Sequence, residues 1–344
     1  MLKRFLIFCL MLSGSSSLKA EQQTEPQPKP QAELKVVEIP LSPPLDLPGA
    51  EISGMTWCGD KLVLLPQYPR RLTSDKKSRF YTLSKQDIVD YLDGKSTATL
   101  QVKPISVDEQ NLRKKISIFD GYEAIACVDD TVWLAIESVN LLGIYYSYLV
   151  KGKLNWSDES ATITIQANSL LSLESQSKMR NMGDEAIFIH RNHVISIHEV
   201  NDPKATEQAN VQILNTDNFK QSKIPFPHIP FRITDTTKLD KNGRFWAINY
   251  KYSGDKFSRK SLDPIAEKYG EGDSHKQYYN VERLLEFQFS EDQITLVDRA
   301  PLQLKMQQQE GRNWEGLVRL GERGFLLATN KHPKTILGFV ATLN

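Results

Sequence analysis

One plan occurs five times along this chain, and it constrains the fold more than any other feature. Each copy runs from an acidic residue through a short apolar run, a turn cluster and a second apolar run to a closing polar residue. The copies span Glu51 to Gln67, Glu123 to Glu137, Glu185 to Glu199, Asp235 to Asn249 and Glu315 to Asn330. Their acid-to-polar spacings are 16, 14, 14, 14 and 15 residues. The turns are Gly59-Asp60, Asp129-Asp130, Arg191-Asn192, Asp240-Lys241-Asn242-Gly243 and Gly321-Glu322. Apolar runs this short, β-branched and punctuated by such turns read as β-hairpins. A hairpin goes out and returns, so the acid and the closing polar residue share one end.

Two more strand-like runs follow each hairpin, such as Ile144 to Val150 with Ala161 to Ile165, or Leu284 to Phe289 with Gln293 to Val297. Four antiparallel strands per unit, at intervals of 72, 62, 50 and 80 residues, predict an all-β fold, a β-propeller of five blades. A sixth blade would need a degenerate unit hidden in a long interval. The last unit supplies a third strand at Thr335–Leu343, and Lys35–Ile39 supplies its fourth, closing the ring.

Ahead of the ring, Lys3 and Arg4 precede the apolar run Phe5 to Leu12, and small residues lead to Ala20. That is the plan of a secretory signal peptide over residues 1–20, and it predicts a periplasmic or secreted protein. Residues 21–34 are rich in Gln, Pro and Glu and read as a flexible linker, leaving 35–344 as a single domain. The apolar run is too short to span a bilayer. With 43 basic against 42 acidic residues, the chain has no overall basic footprint for nucleic acid. Removing the leader takes away three basic residues and leaves a net charge near −2. Of three cysteines, Cys58 and Cys127 lie in the domain; they are expected to be two small buried hydrophobes rather than a bridge. A monomer is expected.

In a propeller the first strand of each blade lines the axis, so Glu51, Glu123, Glu185, Asp235 and Glu315 are expected to converge at one mouth. Carboxylates packed there repel, by about 4 kcal/mol per pair at 4 Å and an effective dielectric near 20. Such a ring persists if a cation sits in it, if some members stay protonated, or if local donors hold each one. An all-oxygen set suits a hard ion, and outside the cytosol Ca²⁺ is the expected cofactor. The loops returning to this mouth are rich in cations. Arg180, Arg232 and Arg312 stand three to five residues from a ring acid, and are the expected binders of a small anionic ligand.

The segments Arg180-Asn181-Met182-Gly183-Asp184-Glu185-Ala186-Ile187 and Gly311-Arg312-Asn313-Trp314-Glu315-Gly316-Leu317 resemble the Arg-Asn-x-x-x-Glu-Gly-Leu pattern of the phytase-like (esterase-like activity of phytase) propeller family. Glu51-Ile52-Ser53-Gly54-Met55 and Tyr122-Glu123-Ala124-Ile125-Ala126 resemble its other blade openings. This chain departs from the pattern by placing Ala after Glu123 and Glu185, and by using Asp235 in the fourth unit. The resemblance covers residues 35–344. It implies a propeller fold, export, and phosphoester or ester hydrolysis with Glu123, Glu185 and Glu315 as catalytic candidates. The other function the sequence allows is a non-catalytic cell-envelope propeller that binds a protein or glycan through its rim loops.

Other constellations fail. No Gly-x-Ser-x-Gly elbow is present. His190 and His193 flank a turn far from the mouth, while His198 lies on the returning strand, so a zinc site is not expected. Trp133, Trp246 and Trp314 read as core.

Overall fold

A computed structural model describes residues 32–342 except 48, 159, 178, 180, 181, 256–259 and 309. The expected leader, nearly all of the linker, and Arg180 lie outside the described residues.

The apolar runs form strands, and the strands group into fans of four. The first unit comprises Ile52–Cys58, Lys61–Pro66, Arg79–Ser84 and Lys103–Asp108. The second comprises Ile118–Val128, Thr131–Val139, Tyr145–Trp156 and Ala161–Ile165. Asp184–His190, His193–His198, Asn210–Asn215 and Gln221–Pro225 make the third. In the fourth, Arg232–Thr236, Arg244–Lys251 and Val281–Phe289 are bordered by Ile294–Leu296 and Leu302–Leu304. The fifth has Trp314–Arg319, Gly324–Thr329, Leu337–Ala341 and Val37–Ile39. The innermost strands neighbour one another in chain order, and that of the fifth unit returns to the first. This is a β-propeller.

Packing explains why runs such as Leu62-Val63-Leu64-Leu65 are apolar throughout rather than alternating. Each fan is covered on both faces. Val63 and Leu65 pack toward Ile125, Val132 and Leu134 of the second unit. Leu62 and Leu64 pack the other way, onto Val318, Leu326 and Leu337 of the fifth. Further cores lie between units two and three, three and four, and four and five. Trp133, Trp246 and Trp314 are buried in them, as expected.

The ring closes as the repeat predicts: Val37 lies opposite Phe339, antiparallel, in the fifth unit. The sheet also takes in residues that composition assigns to the linker. Glu33 and Leu34 pair in parallel with Gln303 and Leu304 of the fourth unit. The Glu33 carboxylate accepts hydrogen bonds from Ser274 Oγ at 2.7 Å and from the backbone N–H groups of Ser274 and His275. The segment that closes one unit is therefore clamped to its neighbour. Outer strands of the first and second units also pair in parallel, with Thr162 opposite Ser106.

The cysteine expectation is overturned. Cys58 and Cys127 form a disulfide with their Cα atoms 5.5 Å apart. Cys58 is the last residue of its inner strand and Cys127 the last but one of the adjacent inner strand, so both lie next to their hairpin turns. The bridge closes 69 residues of chain. Replacing both cysteines by alanine should cost about 2–4 kcal/mol in urea unfolding, with the oxidised parent as reference.

Candidate functional site

Each inner strand carries a β-bulge at its mouth end, and the bulge decides which side chain turns to the axis. In the second, third and fifth units the extra residues are Glu123, Glu185 and Glu315. In the first unit the bulged residue is Ser53, between Ile52 and Gly54. In the fourth, Ile233 and Thr236 bracket Thr234 and Asp235. Ser53 Oγ donates to the carbonyl of Tyr122 at 2.5 Å, and Thr234 Oγ1 to that of Trp314 at 2.6 Å. Each hydroxyl thus ties its strand to the residue preceding a bulged glutamate. The axial level is three glutamates and two hydroxyls, not five acids.

Two of the five expected ring acids are displaced by this register. Glu51 stands two residues before the bulge, lines the outer mouth, and lies 3.7 Å from Arg71. Asp235 follows Thr234 and does not line the cavity. Its carboxylate accepts the N–H of Thr236 at 2.7 Å and that of Leu317 at 2.6 Å, with Met55 a third backbone donor. Asp235 therefore pins the inner strands of units one, four and five together, where the resembling pattern has Gly. Its carboxyl is held well above the usual range by burial.

A second level comes from the ends of the returning strands. Gln67, Glu137, Glu199 and Asn330 occupy it as expected. In the fourth unit Tyr250, paired with Arg232, takes the place expected for Asn249. Asn249 instead donates to the carbonyl of Pro230 and accepts from Arg283 Nε. Gln67 links the two levels: its Nε2 donates to Glu123 at 3.1 Å, and its Oε1 accepts from Asn330 Nδ2 at 3.3 Å. Gly121 leaves room for this, since a Cβ there would meet Glu123 Oε1 at 2.3 Å.

The mouth is a cavity of about 740 Å³, lined by Glu51, Glu123, Glu137, Glu185 and Glu315 together with Gln67, Arg232, three tyrosines and Asn330. Burial, then the hydrogen bond from Gln67 pulling the other way, sets Glu123 at about 8. Burial and the charges of Glu123 and Glu199 push Glu137 up to about 9. Glu185 and Glu315 are raised well above the ordinary range by burial and then by neighbouring glutamates. The buried Oε2 atoms of Glu185 and Glu199 have no hydrogen-bond partner. All-oxygen donors with unsatisfied carboxylate oxygens fit a hard cation. Among the described residues, no three acidic, histidine or cysteine side chains are drawn together closely enough to hold a metal ion.

Of the expected anion binders, Arg232 reaches the cavity, but its guanidinium is engaged by Glu199 and by both oxygens of Asp255. It neutralises acids. Arg312 turns away from the axis: its Nε and Nη2 donate to Glu282 Oε2 at 2.9 and 2.7 Å, in the interior. Other rim cations are spoken for as well, with Arg70 and Arg113 both on Glu109. Besides Arg232, the cavity is lined by Arg71, one of the cations expected on the rim loops, and by Lys331 and His332, which the spacing argument missed. Arg71 lies over the Tyr68 ring, 3.5 Å from its centroid. Lys331 and His332 directly follow Asn330, which was the available signal.

At the opposite end, His190 and His193 pair across their turn, as expected. His198 is buried and accepts the N–H of Val200 through Nδ1.

No protein-family model matches the chain, and no match is found among curated proteins. Among solved structures it is similar to the soluble aldose sugar dehydrogenase of Escherichia coli, 10% identical over 89% of this chain and 99% of that one, TM-score 0.43. It is also similar to the xylan β-1,4-xylosidase of Bacillus halodurans C-125, at 11% identity, 88% and 54% coverage and TM-score 0.46. A third is the α-L-arabinanase of Cellvibrio cellulosa, at 10% identity, 83% and 90% coverage and TM-score 0.43. Similarity this distant carries over neither substrate nor mechanism. What the sheet topology itself establishes is a β-propeller whose axial cavity gathers carboxylates at one mouth.

Proposed function

We propose that this chain is an exported five-bladed propeller of phytase-like type, which hydrolyses an anionic phosphoester or ester with the help of Ca²⁺ at the axial mouth. One observation carries the reading: glutamates from three bulges and one returning strand, Glu123, Glu185, Glu315 and Glu137, line a single axial cavity, and a buried oxygen of Glu185 has no hydrogen-bond partner. Gln67 and Arg232 offset part of this crowding, and protons or a cation would offset the rest. Because no three acids among the described residues stand close enough to share one ion, one or two of Glu123, Glu185 and Glu315 would hold it, with the amide groups of Gln67 and Asn330 beside them. The bound ion would polarise the phosphoryl or carbonyl oxygen.

The chain's own side chains do the rest. Arg71 and Lys331 draw the anionic group to the rim, with His332 beside them. Tyr68, Tyr250 and Tyr252 wall the cavity and limit water. Water admitted to the cavity would attack the phosphorus or carbonyl carbon, and Glu137, which keeps its proton at neutral pH, can deliver that proton to the departing oxygen as its bond breaks.

A chromogenic phosphoester and a lactone, each assayed with calcium, test this. Glu185→Gln and Glu315→Gln should lower kcat/KM by at least about a hundredfold, the scale of a lost electrostatic group. Arg71→Ala should mainly raise KM. Equal background rates in all four proteins would leave the other reading, a non-catalytic propeller binding a protein or glycan at the cell envelope.

A further inference from the structure

The mouth face carries an apolar projection that the cavity chemistry does not use. In the second unit the returning strand ends at Val139, opposite Ile118, and the next begins at Tyr145. Between them Leu141 is 93% exposed and Leu142 79%, with Ile144 and Ile118 exposed beside them. The projection is built rather than frayed. Asn140 Oδ1 accepts the N–H groups of Leu142 and Ile144 at 2.9 and 3.0 Å, and Gly143 takes the left-handed conformation that the turn needs. Asn140 Nδ2 also donates to Tyr146 Oη at 3.1 Å.

The exposed charges leading up to this tip are basic, while Asp120, two residues beyond Ile118, is partly buried with its carboxyl held above the usual range by burial. Residues 139–150 contain no charged side chain. Residues 113–118 contain three basic side chains and no acid; Lys114 and Lys115 are exposed, and the run ends at Ile118 beside the tip. The nearest acid in sequence on that side, Glu109, is taken up by Arg70 and Arg113. A convex turn with two adjacent leucines offers no concave surface to a folded partner. A fluid lipid phase accepts such a shape without a matching pocket, and anionic headgroups match the flanking lysines. Across the mouth, Tyr252 and Tyr279 are half-exposed and flank the pair Lys251 and Val281. Aromatic side chains of this kind sit well at a headgroup boundary.

We propose that the Asn140–Ile144 turn inserts into an anionic lipid surface, so that the axial mouth faces the membrane. Docking of this kind does not depend on the hydrolytic reading and can be tested without a substrate. The purified protein is sedimented with vesicles of phosphatidylcholine and phosphatidylglycerol at 3:1, beside phosphatidylcholine alone. The wild type should partition to the mixed vesicles at least tenfold more than Leu141→Glu/Leu142→Glu, and Lys114→Glu/Lys115→Glu should also weaken it. Raising salt from 0.1 to 0.5 M should reduce binding. Both leucines are in solvent, so the variants should melt as the wild type does. Both proteins carry the same N terminus, whose contribution cancels in the comparison. A second readout is Leu142→Trp, whose emission should shift to the blue on mixed vesicles. Equal partitioning of wild type and the double glutamate variant would overturn the proposal, as would an unshifted Leu142→Trp spectrum. A concentration-dependent dimer abolished by the glutamates, with no vesicle binding, would assign the tip to a second copy of the chain instead.

Discussion

In metal-free buffer the melting temperature should fall as pH is raised from 5 to 8.5, and millimolar calcium should remove most of that fall. Glu123 is raised from 4.5 to about 8 and Glu137 from 4.5 to about 9, chiefly by burial. Between those limits the folded chain holds protons that the unfolded chain has released. Stability therefore decreases with rising pH across that window, the reverse of the usual carboxylate case. Even a modest part of these shifts, at about 1.4 kcal/mol per unit, should remove on the order of 3 kcal/mol by pH 8.5. A cation substitutes for the protons. Calcium at a hundred times its dissociation constant should return about 2.7 kcal/mol, and its affinity should rise with pH because it displaces protons. Glu315→Gln gives the sharper contrast: at pH 8.5 without metal it should melt higher than the parent, while its calcium response should shrink. A melting temperature flat in pH and indifferent to calcium would remove the basis for a cation at this mouth.

The repeat showed the ring, its closing strand and the mouth because those follow from apolar periodicity and turn chemistry, which are local. It did not show the bulges. A bulge adds one residue without changing the hydrophobic pattern, so aligning units on their first acid slipped the register by two at Glu51 and by one at Asp235. That slip matters because a one-residue change decides whether a carboxylate meets the axis or backbone N–H groups. It also hid Tyr250, since Asn249 stood at the expected count. Pairing across long separations was equally hidden. Cys58 and Cys127 stand seven and four residues after the first acids of their units, which set them at different heights, and their bond became evident only once the inner strands were neighbours.

Arg312 shows the same limit most clearly, and it yields the second large expected effect. Three residues before Glu315 in a resembling motif, it looked like a ligand contact. In the fold it is almost wholly buried, and Glu282, itself 1% exposed, receives its Nε, its Nη2 and its backbone N–H. Trp314 Nε1 donates to the same oxygen of Glu282 at 2.8 Å. Arg312→Met keeps the length of the side chain and removes the charge, leaving Glu282 buried with the indole and one amide as donors. Breaking one side of a buried pair should cost about 3–5 kcal/mol, read as a lower midpoint in urea. Glu282→Gln should lose stability as well, since the guanidinium is then the uncompensated partner. A double change, Arg312→Met with Glu282→Leu, should recover part of the loss, because neither charge remains in the interior. Ligand affinity and the calcium response should stay at the parental level in whatever fraction is folded. If Arg312→Met instead leaves the urea midpoint unchanged and weakens an anionic ligand, the guanidinium faces the cavity after all and the packing described for Glu282 is wrong.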